Sequence, residues 1–146
     1  MMAVFGLTSV MAQKPGRGDR DKMMKELQEF KLKYLAQEME LEGDKQEKFF
    51  TLYNEMTEKR MKCMAEAWQL ERKVKHSKDA TEADYEAAAE AMNKAKAEDA
   101  ALEKSYDDKF AEFLSQKQIY KMKAAENEFR KKMSEMRGKK GRPGRR

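Results

Sequence analysis

The stretch KLKYLAQEMELEGDKQEKFFTLYNEM, residues 31–56, decides the fold. On its N-terminal side the apolar residues Met23, Leu27, Phe30, Tyr34 and Leu41 follow helical steps, with Leu35 and Met39 beside them. Steps of three and four place side chains on one face of an α-helix. Leu41-Glu42-Gly43-Asp44 interrupts the pattern. Gly43 is expected to stop the first helix, because glycine tolerates the left-handed backbone that ends helices. Asp44 is the expected cap of the next one. The helical spacing resumes with Phe49, Tyr53 and Met56, flanked by Phe50 and Leu52.

Working outward, the second helix continues through Cys63, Ala67, Leu70 and Val74, with Arg60 filling the one polar gap in its stripe. From Asp44 to Ser77 it would run about 45 Å at about 1.5 Å per residue. A helix of that length in a chain of 146 residues has to pair lengthwise with another. His76-Ser77-Lys78-Asp79-Ala80 reads as a turn, and Thr81 with Asp84 forms a capping box. The third helix carries Tyr85, Ala88, Met92, Ala95, Asp99, Leu102, Tyr106, Phe110 and Phe113. Its alanine-rich first half lets a partner backbone come close. Leu114-Ser115-Gln116-Lys117-Gln118 ends it, and Ser115 with Gln118 gives a second capping box. A fourth helix with Ile119, Met122, Phe129, Met133 and Met136 fades at Gly138. No alternating run or hairpin signal competes with these helices. The expectation is an all-α chain of four helices in elongated antiparallel hairpins. The apolar stripes are narrow, so self-association as a homodimer is expected.

Forty per cent of the residues are charged and 40% are apolar, which fits surface-rich helices better than a thick globule. The length suits one domain. Much of the net charge of +5 comes from Arg137, Lys139, Lys140, Arg142, Arg145 and Arg146, so the body is close to neutral. Residues 138–146 read as a basic disordered tail, 21–137 as the helical domain and 13–20 as a linker with Pro15, Gly16 and Gly18. Residues 1–12, MMAVFGLTSVMA, are uncharged, and Val10-Met11-Ala12 resembles a signal-peptidase site. They are read as a clipped secretory signal, which would put the mature protein outside the cytoplasm. The single Cys63 has no partner within the chain for a disulfide.

No catalytic constellation is present, so no enzyme activity and no cofactor are expected. Acids alternate with lysines as solvated helix pairs. Cys63 and His76 would lie nearly 20 Å apart along one helix, at about 1.5 Å per residue, too far for nucleophile and base. Thirteen methionines raise the question of a soft metal. Met61, Cys63 and Met64 are the candidates, but the same spacing is what an adaptable apolar face requires. No metal site is assigned on this basis. Nucleic acid is disfavoured as a partner because the basic charge sits in the tail alone.

Leu114-Ser115-Gln116-Lys117-Gln118 resembles the LTxxQ motif of the Spy/CpxP-like periplasmic family, with serine for threonine. Gln37-Glu38-Met39, Leu41, Glu47-Lys48-Phe49 and Leu52-Tyr53-Asn54-Glu55 are similar to the first helix and hinge of its Bacteroidetes-type heavy-metal-sensor-like branch. Phe110, Leu114, Tyr120 and Phe129-Arg130 extend the likeness, which covers roughly residues 20–137. Glu42-Gly43 stands where that family has Thr-Pro, and no histidine matches the metal-sensing ligands. The resemblance implies a thin curved helical cradle, an antiparallel dimer, and a role in envelope stress. It implies a chaperone that binds unfolded or stress-related proteins without ATP. The alternative is a sensor or modulator of a membrane signalling partner, with or without a metal. Leu41, Phe49, Leu52, Tyr53, Leu114, Ser115 and Gln118 would be the hinge residues. Phe30, Tyr34, Leu35, Met39, Phe50 and Met56 would form the client-binding face.

Overall fold

The structure is a computed structural model and describes residues 16–141. The expected signal segment, residues 13–15 of the linker and residues 142–146 of the tail lie outside the described residues. The chain is all-α, with helices α1 (Arg17–Glu38), α2 (Gly43–His76), α3 (Glu82–Ala111) and α4 (Gln116–Gly141). Among the described residues there is no strand.

The helix ends follow local chemistry, with three corrections. First, α1 begins at Arg17, so residues 17–20, expected as linker, are helix. The Gly16 carbonyl accepts the Asp19 and Arg20 amides at 2.9 and 3.1 Å, and Asp19 suits the positive end of the helix dipole. Second, Gly43 does not terminate α1. The chain leaves the helix at Glu40, whose φ is +57°, in the left-handed region. The Glu40 amide donates to the Gln37 carbonyl at 3.1 Å and the Leu41 amide to the Ala36 carbonyl at 2.9 Å. That pair of bonds is a Schellman motif, with glutamate in the usual glycine position. Gly43 takes a second positive φ, +60°, and opens α2. Asp44 sits in the first turn of α2 and does not cap it, the cap position being Glu42. Third, α4 continues through Gly141, past the expected fade at Gly138.

Both sequence-derived capping boxes are present. The Asp84 amide donates to the Thr81 hydroxyl at 3.2 Å while the Thr81 amide donates to the Asp84 carboxylate at 2.9 Å. The Gln118 amide donates to Ser115 Oγ at 3.1 Å while the Ser115 amide donates to Gln118 Oε1 at 3.0 Å. Each box satisfies two backbone donors that the first turn of a helix leaves unpaired.

α2 and α3 form a long antiparallel pair, α1 packs against α4, and α3 meets α4 near their shared turn. The core gathers at one end of the α2–α3 pair, where all four helices meet. Leu35, Phe49 and Phe110 are fully enclosed there. The Phe49 ring centroid lies 5.4 Å from both Tyr53 and Phe110. Tilted aromatic pairs of this kind add about 0.5–1.5 kcal/mol each beyond area burial. Towards the other end only the small residues Ala67, Ala88 and Ala95 are buried, so the backbones of α2 and α3 approach closely.

The two helix breaks come together in space. Leu41 and Leu114 are both in the core. The Gln118 amide group, already in its capping box, also donates to the Met39 carbonyl at a long 3.5 Å. Lys121 lies 4.0 Å from Glu40. One glutamine therefore caps α4 and touches the end of α1.

Candidate binding groove

The hinge residues inferred from sequence lie together. Leu41, Phe49, Tyr53 and Leu114 are buried in one cluster, Leu52 packs against it, and Ser115 and Gln118 cap α4 at its edge. They hold the break between α1 and α2 against the break between α3 and α4.

The expected client-binding face is corrected. Leu35, Met39 and Met56 are 0%, 1% and 2% exposed and belong to the core. They lie on the inner side of their helices, where α1 and α2 close on α3 and α4, so no partner reaches them in the folded chain. Phe50 is half-buried and packs against the same core. Tyr34 is half-buried, its ring 6.0 Å from Phe129. Phe30 alone of the six is open, 59% exposed, with its ring 6.1 Å from Phe129. Met23 and Met24 on the same helix and Met136 on α4 are also exposed.

The soft-metal candidates do not converge. Met61 and Met64 line a cleft beside Lys31 and Arg130, whereas Cys63 lines a different one with Glu98 and Leu102. The Cys63 thiol donates weakly to Glu98 at 3.3 Å, and partial burial together with that carboxylate raises its pKa. Among the described residues no group of three or more histidine, cysteine or acidic side chains could hold a metal ion.

What the sequence reading missed is a polar cluster on the seam of the helices. Arg60 filled the gap in the α2 stripe and Asp99 interrupted the α3 stripe. The two pair: Arg60 donates to both Asp99 oxygens, at 2.6 and 2.8 Å. The hydrogen-bonded Asp99 carboxylate raises the guanidinium pKa. A lone base and a lone acid on facing stripes were the available signal. Beside them the Tyr53 hydroxyl donates to Glu126 of α4 at 3.0 Å. Lys31 of α1 sits over the Tyr53 ring at 5.3 Å and the Phe129 ring at 5.9 Å. Burial lowers its pKa.

Open clefts lie along the helices on and near this cluster. The cleft between α1 and α2 measures about 670 Å³ and includes Gln28, Leu32 and Met61. The cleft between α1 and α4 measures about 460 Å³, with Met24, Leu27, Phe129 and Met133 in its walls. A third, of about 320 Å³, is bounded by Met61, Met64 and Trp68. The second and third share Lys31, Glu126 and Arg130. Chemically the arrangement can bind apolar groups adaptably through thioethers and hold an anion through cations that rest on aromatic rings.

Neither the family models, nor the curated proteins, nor the solved structures compared with this chain give a match.

Proposed function

We propose that the chain is a periplasmic, stress-related protein that binds unfolded protein clients without ATP, in the manner of the Spy/CpxP-like proteins it resembles. The observation that carries this reading is the set of large apolar side chains left open after the core is complete. Met23, Met24 and Phe30 on α1 and Met136 on α4 are each more than half exposed, and Met61, Trp68, Tyr85 and Tyr120 extend the set across α2, α3 and α4. Isolated exposed apolar residues are ordinary, but a concentration of methionines and aromatics is suited to partners of varied sequence. Interspersed acids and bases favour rapid, reversible encounter. A homodimer in which the helices form a thin cradle would align two such faces.

The test is aggregation of a chemically denatured client diluted into buffer without nucleotide. Near-stoichiometric protein should suppress light scattering, and the paired change Met23→Ser, Phe30→Ser should weaken suppression while leaving helicity intact. Absence of suppression at low salt, where charge-guided encounter is strongest, would remove the proposal.

A further inference from the structure

We propose that the cleft between α1 and α4 binds a small amphiphilic anion: one carboxylate or phosphate head on an apolar chain, its head held by Lys31 and Arg130. The charges around the cleft set the sign. Arg60 is committed to Asp99, and Lys123 to Glu103 and Asp107. Among the described residues, Lys31, Arg130 and Arg137 form no ion pair, although all three border the cleft. The one acid in the lining is Glu126, and one of its oxygens already accepts from Tyr53. The cleft therefore carries an excess of positive charge, with Lys31 and Arg130 at the end it shares with α2 and Arg137 about two turns further along α4.

The walls set the rest of the ligand. Met24, Leu27, Phe129 and Met133 form an apolar wall beyond Lys31 and Arg130, with Gln28, Ser134 and Arg137 at its edge. A molecule charged at one end and apolar along its length meets both requirements. Burial lowers the Lys31 pKa, so an anion beside its ammonium would relieve a strain already present. The volume of about 460 Å³ suits such a ligand, since small-molecule clefts span about 300–1,000 Å³.

The experiment titrates the full chain calorimetrically with sodium laurate and with monododecyl phosphate, both below micelle formation. One molecule should bind per chain, and which head binds tighter identifies the source of the anion. Lys31→Gln, Arg130→Gln should weaken binding by about tenfold or more, since a charge-assisted hydrogen bond is worth about 1.5–3 kcal/mol. Arg130→Gln alone changes an exposed position and should weaken it in part, which covers the case in which the double variant misfolds. Lys75→Gln, at the far end of α2, should leave affinity unchanged. Any one of four results would overturn the proposal: no binding of either amphiphile, equal binding of dodecyltrimethylammonium, equal binding of acetate or inorganic phosphate, or equal loss in Lys75→Gln. An acidic peptide that binds through Lys31 and Arg130 while laurate does not would assign the cleft to polypeptide instead.

Discussion

Glu40 holds a left-handed backbone at φ +57° with a full side chain. An L-residue pays about 1–2 kcal/mol for that conformation, and glycine pays little. Its ion pair with Lys121, at 4.0 Å and with Glu40 mostly exposed, offsets little of this. Glu40→Gly should therefore stabilise the fold by about 0.5–1 kcal/mol after the extra backbone entropy of glycine is counted. A higher urea midpoint at unchanged slope would show it, and a lower one would contradict the Schellman assignment. Tyr53 makes a second prediction. Burial first, and then Glu126, push its phenol pKa well above the ordinary value. Above pH about 10 the unfolded chain releases that proton while the folded chain retains it. Its contribution to stability is therefore present below pH about 10 and is lost as the pH rises further. Urea midpoints at about pH 8 and about pH 11 should fall more for the wild type than for Tyr53→Phe. Equal falls would separate Tyr53 from the alkaline response.

At the scale of elements, the α2–α3 pair is two structures joined at the Arg60–Asp99 bridge. On one side Phe49, Tyr53, Tyr106 and Phe110 fill a thick core, and on the other Ala67, Ala88 and Ala95 give a thin seam. Amide exchange should be slowest around Phe49 and Phe110 and fastest towards the turn at residues 77–80, because local stability follows buried apolar contact. The bridge is less than a third exposed on either side chain. Asp99→Ala should cost about 1.5–3 kcal/mol, since it leaves the guanidinium without its acceptor. Arg60→Met, Asp99→Leu should cost less than Asp99→Ala, because the apolar pair removes both charges together. A double variant less stable than the single one in denaturant melts would mean that the bridge contributes more than it costs to desolvate.

At the scale of the whole molecule, one small core carries four long helices. Phe110→Ala should cost about 3–5 kcal/mol, which is a large part of the about 5–15 kcal/mol that holds a domain together. The exposed Met23, Met24, Phe30, Trp68, Tyr85 and Tyr120 are apolar surface the single chain leaves in solvent. The proposed homodimer would cover part of it. Sedimentation should then give twice the chain mass, and the melting temperature should rise with protein concentration. A monomer throughout, with a concentration-independent melt, would leave that surface open for clients alone.

The sequence by itself determined the four helices, both capping boxes, the alanine seam and the place of each turn. These depend on residues within about one helical turn of one another, through periodicity and local hydrogen bonding. Gly43 misled because it also takes a positive φ, and nothing local distinguished it from Glu40 as the residue that ends α1. Only the tertiary structure decided that Leu35, Met39 and Met56 face inward while Phe30 faces out. Each lies on or beside the apolar stripe of its helix, and periodicity does not say which part of it another helix covers. Only the tertiary structure joined Gln118 to Met39 and Arg60 to Asp99, and gathered Lys31, Tyr53 and Glu126 at one seam. Those contacts span tens of residues, and they depend on the two helix breaks packing against each other in one core.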